Sequence, residues 1–220
     1  MRRISLDIFV LIIIGIFLAL PVRAVTVDFD QDGLSDEVEQ KLGTDPQNAD
    51  SDGDSFKDGE EVMHGFNPLG VKGDRKVDRR VEVNLNQQQL YYFFNNVKVA
   101  TMPVSTGLQK WATPVGEYKI FHKEPSRRYK GVGYDYKNTK WNLEFKSGFY
   151  LHGAYWHNEF GKRPMSHGCV NMAYKDVEKL YAALSVGDKV KVYGKTPVKV
   201  TQSVIQSGAK DPSIKATKSN

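Results

Sequence analysis

Two acidic segments with the same layout restrict the N-terminal part of this chain more than any other feature does. Residues 28–39 carry carboxylates at positions 1, 3, 5, 9 and 12, and residues 50–61 repeat that layout 22 residues later. Residues 25–70 hold 13 Asp and Glu against two Lys, a net charge of −11. A region this short and this polar cannot fold by burying apolar surface alone. Its carboxylates therefore need a cation or full solvation.

The layout fits calcium, which takes about six to eight oxygen ligands and can be wrapped by a loop of about 12 residues. Gly33 permits the sharp turn at the sixth position of the first loop, whereas Ser55 replaces it in the second and should weaken that site. The alternative, a solvated acidic linker, requires two full-length matches to arise from composition alone. The predicted ligands are Asp28, Asp30, Asp32, Asp36 and Glu39 in the first loop and Asp50, Asp52, Asp54, Asp58 and Glu61 in the second, with Leu34 and Phe56 supplying backbone carbonyls.

Residues 1–24 predict export. Arg2 and Arg3 precede a 13-residue apolar run, and the segment closes with Val22-Arg23-Ala24, the layout of a signal peptide cut after Ala24. A bilayer-spanning helix takes about 20 apolar residues, so cleavage is favoured over an uncleaved anchor. Either way we expect the rest of the chain outside the cytoplasm, in the periplasm or at the cell wall. The membrane would be contacted only through this segment, if it is uncleaved.

Strand patterns follow a polar, basic stretch at residues 71–80, which is typical of a linker. Apolar and polar residues alternate from Val81 to Leu85, and Asn95-Asn96 predicts a hairpin turn. Many short strands with one helix predict a mainly β sandwich or barrel. A polar tail at 195–220 is expected to be mobile. The predicted elements are strands at 81–85, 90–94, 97–104, 116–121, 149–151 and 190–193 and a helix at 174–184.

Cys169 is the only cysteine, which excludes an intramolecular disulfide and a cysteine-rich zinc site. It ends the run Ser166-His167-Gly168-Cys169, and His152 lies 17 residues before it, at a predicted strand end. A thiol attacks as the thiolate, and a nearby His is the usual way to make one, so its pKa should lie below the ordinary value of about 8.5. Backbone N–H groups near Gly168 and Cys169 can form an oxyanion hole.

Two other interpretations of these residues stay open at this point. A lone Cys is often a small buried apolar residue without a chemical role. His152, His157 and His167 are three of the five His and could instead bind a metal, although no HExxH-like helical spacing accompanies them.

His152 with residues 166–171 (SHGCVN) resembles the signature of L,D-transpeptidase catalytic domains. Shorter matches upstream fall in the same order, and the resemblance spans about residues 81–193. Asn171 stands where many members have Arg. The resemblance implies a mainly β, sandwich-like catalytic domain at 81–194 with one or two helices, and a Cys in a cleft beneath a flap. The supporting runs are LNQQQLY at 85–91, PVSTG at 103–107, TPVGEY at 113–118 and VGDKV at 186–190.

The same resemblance implies an activity that needs no cofactor. Cys169 would attack the amide of a peptidoglycan tetrapeptide stem, release a terminal D-amino acid, and pass the acyl group from a thioester to an amine. His152 would be the base, oriented by the backbone carbonyl of Gly153. The remaining implied roles are support of the developing anion by His167, Gly168 and Ser166, with Ser166 orienting His167, and substrate binding by Tyr155, Trp156 and Asn171.

The acidic segment resembles thrombospondin type 3-like or EF-hand-like calcium repeats, because a short Gly- and Pro-containing turn follows each loop, at residues 43–46 and 65–68. This implies a calcium-stiffened spacer at residues 25–70 with little core of its own. The catalytic domain should then stay folded and active without calcium. Residues 71–220 carry a net charge of +14, which suits an anionic wall polymer, whereas export and the lack of a binding motif argue against nucleic acid.

Three functions follow from the sequence. The first is a cell-wall L,D-transpeptidase with a calcium-stabilised spacer. The second is an L,D-carboxypeptidase or cross-link hydrolase that uses the same Cys/His site with water as acceptor, a choice that depends on the shape of the flap. The third is a non-catalytic, calcium-dependent wall-binding module, which the intact His152/Cys169 pair disfavours.

Overall fold

A curled nine-stranded sheet and three short α-helices make up residues 26–197, the part of the chain that the computed structural model describes. The predicted signal peptide at 1–24 and all but the first three residues of the predicted tail at 195–220 lie outside the described residues. Between residues 26 and 197 no helix is long and apolar enough to cross a membrane. The elements are α1 (Asp36–Leu42), α2 (Asp58–His64), β1 (Arg79–Asn84), β2 (Gln89–Phe94), β3 (Val97–Ser105), β4 (Gly116–Lys119), β5 (His122–Gly131), β6 (Tyr134–Lys146), β7 (Phe149–Gly153), β8 (Val170–Met172), α3 (Tyr174–Ala183) and β9 (Lys189–Tyr193).

The strands hydrogen-bond in the order β4-β9-β1-β2-β3-β8-β7-β6-β5, with β1/β9 and β7/β8 parallel and the other pairs antiparallel. The sheet curls until its two ends approach each other. Tyr118 of β4 contacts Phe145 of β6 with ring centroids 5.5 Å apart, and the N–H of Phe121 donates to the carbonyl of Glu144 at 3.0 Å. One core is thereby enclosed, and the predicted mainly β fold with one helix in the catalytic domain is confirmed.

Strict alternation explains why the first strands were readable from sequence. Val81 and Val83 of β1 are fully buried while their neighbours are half-exposed, and β2 repeats the pattern. Asn95 and Asn96 both have positive φ, 45° and 65°, which is the geometry of a tight hairpin turn between right-twisted strands. The turn sets the register of β2 against β3 next to it, and a bulge between Tyr92 and Phe93 shifts the register farther along the pair.

The hairpin formed by β5 and β6, which we call the flap, was not located from the sequence pattern, although the family resemblance implied a flap. Most of its side chains are half-buried or exposed on both faces, so it lacks the contrast that marks a strand with one buried face. Gly133 at φ 83° makes the turn at its tip. Asn138 and Trp141 also have positive φ within β6, at 53° and 59°, and these irregular positions bend the strand.

The acidic module is docked on the sheet domain. Each acidic loop leads into a seven-residue helix that ends at a glycine with positive φ, Gly43 at 88° and Gly65 at 77°. Leu34 and Val62 of the module are buried and belong to the same core cluster as the sheet. The module therefore packs on the sheet domain and completes its core, instead of standing apart from it as a spacer would.

Two arginines hold this interface. Arg79 is 8% exposed, and its guanidinium donates to the carbonyl of Gly65 at 2.8 Å and to Asp188 at 3.0 Å. Arg75 donates to the carbonyl of Ala183 at the end of α3, at 3.1 Å. Both lie in residues 71–80, and β1 already begins at Arg79. The polar side chains that suggested a linker therefore bind backbone carbonyls and the carboxylate of Asp188.

Candidate active site

His152 lies at the end of β7 and is 3% exposed. Its Nδ1 is 2.9 Å from the carbonyl oxygen of Gly153, which can only accept, so Nδ1 carries the hydrogen and Nε2 keeps its lone pair. A Cβ on Gly153 would lie 2.3 Å from the ring of Tyr174, so only glycine fits there. Burial lowers the pKa of His152 to about 4, which keeps the imidazole neutral at pH 7.

Cys169 lies in the loop that enters β8, with its Sγ 3.9 Å from the carbonyl oxygen of Gly148. Burial raises the pKa of the thiol to about 11, against smaller opposing effects from the N–H of Tyr150 and the charge of Arg127. This shift is opposite to the expected lowering of the thiol pKa, because burial outweighs the nearby positive charge of Arg127. A neutral thiol and a neutral imidazole share the site, so the proton has to move as the sulfur attacks.

Ser166 braces the turn that carries Cys169. Its hydroxyl donates to the carbonyl of Cys169 at 2.5 Å and accepts the N–H of Gly168 at 3.0 Å. The expectation that Ser166 orients His167 is therefore wrong, because both of these bonds go to backbone groups on the turn itself. The N–H of Gly168 is occupied as well, so the anion donors left are the N–H groups of His167 and Cys169, which no hydrogen bond of residues 26–197 uses.

The segment after β3 holds this turn from the other side. The N–H of Ser166 donates to the carbonyl of Thr106 at 3.1 Å, and the N–H of Leu108 donates back to the carbonyl of Ser166 at 2.9 Å. The buried amide of Gln88 accepts the N–H of Thr106 at 2.9 Å and donates to its hydroxyl at 2.7 Å. A Cβ on Gly107 would lie 2.1 Å from the carbonyl oxygen of Trp111, so the chain approaches too closely there for any other residue.

His152 and Cys169 line one cavity of about 80 Å³, roofed by aromatic side chains of the flap. Tyr136 stacks on Trp156 with ring centroids 3.7 Å apart and planes within 3°, Tyr129 stacks on His152 at 4.6 Å, and Tyr134 on His167 at 5.1 Å. Cys169 is only half-buried, so the cavity opens to solvent beside the thiol, and it is narrow compared with a peptide. The lining residues are Tyr129, Tyr134, Tyr136, His152, Trp156, Met165, Ser166, His167, Cys169 and Asn171.

The expected substrate-binding residues fall into two groups. Trp156 and Asn171 line the cavity, whereas Tyr155 is 54% exposed, lies outside the lining, and donates its hydroxyl to the carbonyl of Lys137 at 3.2 Å. The three flap tyrosines were missed. A sequence signal existed, because Tyr134 and Tyr136 are spaced by two next to a turn with Gly131 and Gly133, which is the pattern of a hairpin with one aromatic face.

The two acidic loops repeat each other in three dimensions. Asp28 accepts the N–H of Gly33 at 3.2 Å, and Asp50 accepts the N–H of Ser55 at 2.9 Å, the same pair of positions in each loop. Carboxylate oxygens of Asp28, Asp30 and Asp32 lie within 4.8 Å of one another, as do those of Asp50, Asp52 and Asp54. Across residues 26–197 all groups with this spacing consist of carboxylates, so the interpretation of His152, His157 and His167 as a metal site is not supported.

Asp36 and Asp58, at the ninth position of each loop, were predicted as calcium ligands, but both make hydrogen bonds within the protein. Asp36 accepts the N–H of Phe29 at 3.0 Å, and Asp58 accepts the N–H of Ser51 at 3.0 Å, so each braces its own loop. Asp58 also forms a fully buried group with Asp32 and Glu39 of the first loop, within 4.8 Å.

The twelfth positions carry buried carboxylates. Glu39 is 0% exposed and neither of its oxygens has a hydrogen-bond partner within the described residues. Burial and the neighbouring carboxylates raise the pKa of Glu39 to about 7, and the same causes raise the pKa of Glu61 to about 7. Such groups are destabilising unless a cation pairs with them, and carboxylate oxygens are the ligands that calcium prefers. The residues present therefore fit calcium.

Comparison with known proteins agrees with this geometry. Residues 78–192 match the L,D-transpeptidase catalytic domain (YkuD), and residues 28–49 and 50–69 each match the bacterial TSP3 repeat. The chain is 32% identical over 100 residues to probable L,D-transpeptidase 3 of Mycobacterium tuberculosis, covering 40% of this chain and 37% of that protein. It is 26% identical over 123 residues to a putative L,D-transpeptidase YkuD of Bacillus licheniformis, covering 56% and 70%.

A solved structure gives the same result. L,D-transpeptidase 3 from M. tuberculosis in complex with a faropenem-derived adduct superposes with a TM-score of 0.51 at 25% identity, over 54% of this chain and 61% of that one. The chain thus spans little more than a third of the length of the first curated relative and under two thirds of this structure.

Proposed function

This chain belongs to the L,D-transpeptidase catalytic-domain family, and we propose that it cross-links peptidoglycan stem peptides by acyl transfer through Cys169. The observation that carries the proposal is the cavity lined by both His152 and Cys169, in which Nε2 of the imidazole has its lone pair available. A cavity with a nucleophile, a base and a group that orients the base is the minimal arrangement for nucleophilic acyl transfer.

In the first half-reaction the sulfur of Cys169 attacks the carbonyl carbon that joins the third stem residue to a terminal D-amino acid. Nε2 of His152 takes the thiol proton as the C–S bond forms. The tetrahedral intermediate then collapses, the C–N bond breaks, and His152 returns the proton to the departing amine. The product is a thioester between Cys169 and the shortened stem.

In the second half-reaction an amine of another stem attacks the thioester. His152 takes a proton from that amine, the C–S bond breaks, and Cys169 regains its thiol. The carbonyl of Gly153 holds the imidazole through Nδ1–H throughout, in the place that a carboxylate has in other triads. The N–H groups of His167 and Cys169 are the proposed donors to the developing oxyanion.

We propose that the flap moves outward when the stem binds, because the cavity of about 80 Å³ beside Cys169 is narrow for a peptide. The contacts that would separate are the stacks of Tyr136 on Trp156 and Tyr134 on His167. The same aromatic faces would then offer apolar contact area to the stem, with Trp156 and Asn171 as the proposed binding residues.

Calcium is the proposed cation of the acidic module, with a structural role. The carboxylates of Asp28, Asp30, Asp32 and Glu39 would hold it in the first loop, and those of Asp50, Asp52, Asp54 and Glu61 in the second, with Asp36, Asp58 and the carbonyls of Leu34 and Phe56 as further predicted contributors. When bound, the ion neutralises carboxylates that the fold has buried. Catalysis itself takes place at Cys169 and His152 and needs no cofactor.

The proposed place of action is outside the cytoplasm, on the peptidoglycan. The positive charge of residues 71–220 favours an anionic polymer as partner, and nucleic acid is not an expected one.

The experiment that tests the proposal is incubation of the purified full chain with tetrapeptide-stem muropeptides, followed by mass spectrometry. Transpeptidation gives a dimer with loss of one D-amino acid per bond formed. The water-accepting alternative gives the tripeptide monomer alone. The third alternative, a wall-binding module without activity, gives no change in the muropeptides. Cys169→Ala is the control and should give neither product while keeping the melting temperature of the parent.

Acylation can also be followed by intact mass with faropenem, since the similar mycobacterial enzyme was solved with a faropenem-derived adduct. We expect one adduct on Cys169. Because the pKa of His152 is about 4 and that of Cys169 about 11, the reactive neutral pair persists between those values. The acylation rate should rise through the lower pKa and stay flat to beyond pH 9. A rate that climbs tenfold per pH unit between 7 and 9 would show instead that the attacking species is a thiolate formed by loss of the proton to solvent, without His152 as the base.

A further inference from the structure

We propose, building on the proposed acyl transfer at Cys169, that His157 is a positioning residue that holds the side-chain amide of Asn171 with its NH₂ group in the reactive cavity, as a donor to a carbonyl or carboxylate oxygen of the bound peptide. The contacts of His157 with Glu159 and Asn171 carry the inference.

Asn171 is placed beside the base. It lies in β8 as the register partner of His152 across the parallel pair β7/β8, so the two side chains leave the sheet on the same face. It is 2% exposed and lines the cavity together with His152 and Cys169. Any polar atom that this side chain turns into the cavity is therefore within reach of whatever Cys169 attacks.

The tautomer of His157 follows from its backbone neighbour. The N–H of Glu159 lies 3.1 Å from Nδ1 of His157, and a backbone N–H can only donate, so Nδ1 must be the unprotonated nitrogen. A neutral imidazole then carries its hydrogen on Nε2. Burial lowers the pKa of His157, which is consistent with the neutral form.

The tautomer in turn fixes the amide. As placed in the structure, Nδ2 of Asn171 lies 3.0 Å from Nε2 of His157, while Oδ1 is buried and has no partner within residues 26–197. Because Nε2–H is a donor, this placement would set two donors against each other, and a half-turn of the carboxamide, which exchanges its two ends, brings the oxygen to Nε2–H instead. The NH₂ group then takes the buried, unpartnered place of Oδ1 in the cavity.

An unpaired buried donor next to the catalytic base is destabilising unless a ligand uses it. The chemistry that satisfies it is an oxygen acceptor, either the carbonyl of the stem amide or a stem carboxylate. An amide in this place neither competes with His152 for the thiol proton nor adds charge. Asn171 thus binds the peptide, and His157 acts only through Asn171.

The direct test is nitrogen NMR of the full chain, which reads the tautomer of His157 without any turnover. We expect hydrogen on Nε2, and a hydrogen on Nδ1 would overturn the inference. Assignment uses His157→Gln, in which the signals of that imidazole disappear. Since this measurement needs no substrate, it stands even if the proposed function fails.

The functional test compares matched variants in the tetrapeptide assay. His157→Phe removes the donor to Asn171 and should lower kcat/KM about tenfold, the worth of one hydrogen bond. His157→Gln supplies an amide N–H in the place of Nε2–H and should recover most of that loss. Asn171→Asp still accepts from His157 but turns an oxygen toward the substrate, and should lower kcat/KM at least as much as His157→Phe, mainly through KM.

The outcomes separate the inference from the proposed function. If the parent chain is active and His157→Phe and Asn171→Asp both retain parental kcat/KM, the positioning role is wrong while the acyl transfer stands. If Phe and Gln at position 157 are equally impaired, the role of His157 is packing, and the inference is wrong. If the parent chain is itself inactive on stem peptides, the proposed function fails, and the tautomer alone decides the geometry. Equal melting temperatures among the variants establish that folding does not account for the differences.

Discussion

Gln88 and Glu39 are both buried polar side chains, one in the sheet domain and one in the acidic module, and their surroundings differ completely. The amide of Gln88 donates to the carbonyl of Leu85 and to Thr106 and accepts the N–H of Thr106. Neither carboxylate oxygen of Glu39 has a partner within the described residues, and four nearby Asp residues add like charge. The sheet domain thus satisfies Gln88 with its own chain, whereas the buried carboxylates of the module would need a cation.

The two regions nevertheless meet in one core, because Leu34 and Val62 of the module pack with the apolar residues of the sheet. Burial of apolar area stabilises both at once. An unpaired charge in the module therefore lowers the stability of the catalytic domain too. A cation bound only by the module would therefore stabilise the sheet domain as well.

Removal of calcium should have the largest effect on the difference between the two regions. Without the ion, the folded pKa of Glu39 and Glu61 is about 7, above their ordinary value of 4.5, so the folded chain binds more protons than the unfolded chain. The free energy of unfolding then falls as pH rises from about 4.5 to 7, by about 3 kcal/mol for each group. In EDTA, thermal unfolding should therefore occur at a lower temperature at pH 8 than at pH 5.

Millimolar calcium should abolish most of that pH dependence. Glu39→Gln should remove part of it, while Glu37→Gln, an exposed residue paired with Lys41, is the matched control and should leave it unchanged. This expectation replaces that of a catalytic domain indifferent to calcium. Unfolding of the sheet domain at the same temperature in EDTA and in calcium would restore the independent spacer.

Replacement of His152, the proposed base, should affect the sheet domain and leave the acidic module unchanged. His152→Ala should slow acylation of Cys169 by about 10²–10⁴-fold, because the neutral thiol then loses the group that takes its proton. Calcium binding and the melting temperature should change little. His122→Ala, at an exposed position in β5, is the control. If the two variants react at similar rates with faropenem, the assignment of the base is wrong.

The docking of the two regions should depend on Arg79. Arg79→Met leaves the half-buried carboxylate of Asp188 without its cation, with only the N–H of Ser185 as a donor, and removes the bond to the carbonyl of Gly65, which should cost about 3 kcal/mol in urea unfolding. Arg80→Met is the matched control, since Arg80 pairs with Glu82 nearer the surface, and should cost about 1 kcal/mol or less. Equal effects of the two variants would mean that Arg79 does not hold the interface.

The smallest expected effect concerns the difference between the two loops themselves. Ser55 has φ 77° where the first loop has Gly33 at 103°, and a non-glycine residue in this region is strained by about 1 kcal/mol. Ser55→Gly should therefore strengthen calcium binding by the second loop several-fold in calorimetry, while Ser51→Gly, which loses the bond to Asp58, should weaken it. Unchanged affinity in Ser55→Gly would place the strain elsewhere.

The sequence predicted what local pattern determines. Alternation in residues 81–85 predicted the first strand, Asn95-Asn96 predicted the turn between β2 and β3, and the SHGCVN run with His152 predicted the family. The strands of the flap have side chains exposed on both faces, so the sequence pattern did not locate them or their residues Tyr129, Tyr134 and Tyr136. The polar stretch with Arg75 and Arg79 has the composition of a linker. Ala183 and Asp188, which these two arginines bind, lie more than a hundred residues away along the chain. Asp58 approaches the first loop because of how α1 and α2 pack against each other. The spacing of residues along the sequence does not encode that packing.

The shared core also determines which rearrangements of this gene could survive. If the chain were divided near residue 70, where the acidic composition ends, Leu34 and Val62 would be separated from the side chains that they cover. The carbonyl of Gly65, which Arg79 binds, would be exposed. Duplication of a 22-residue unit would be tolerated only ahead of Asp28, where added repeats would extend from a docked pair instead of displacing it. For recombination, and for anyone exchanging parts of this protein, the useful joint is at the start of the repeats.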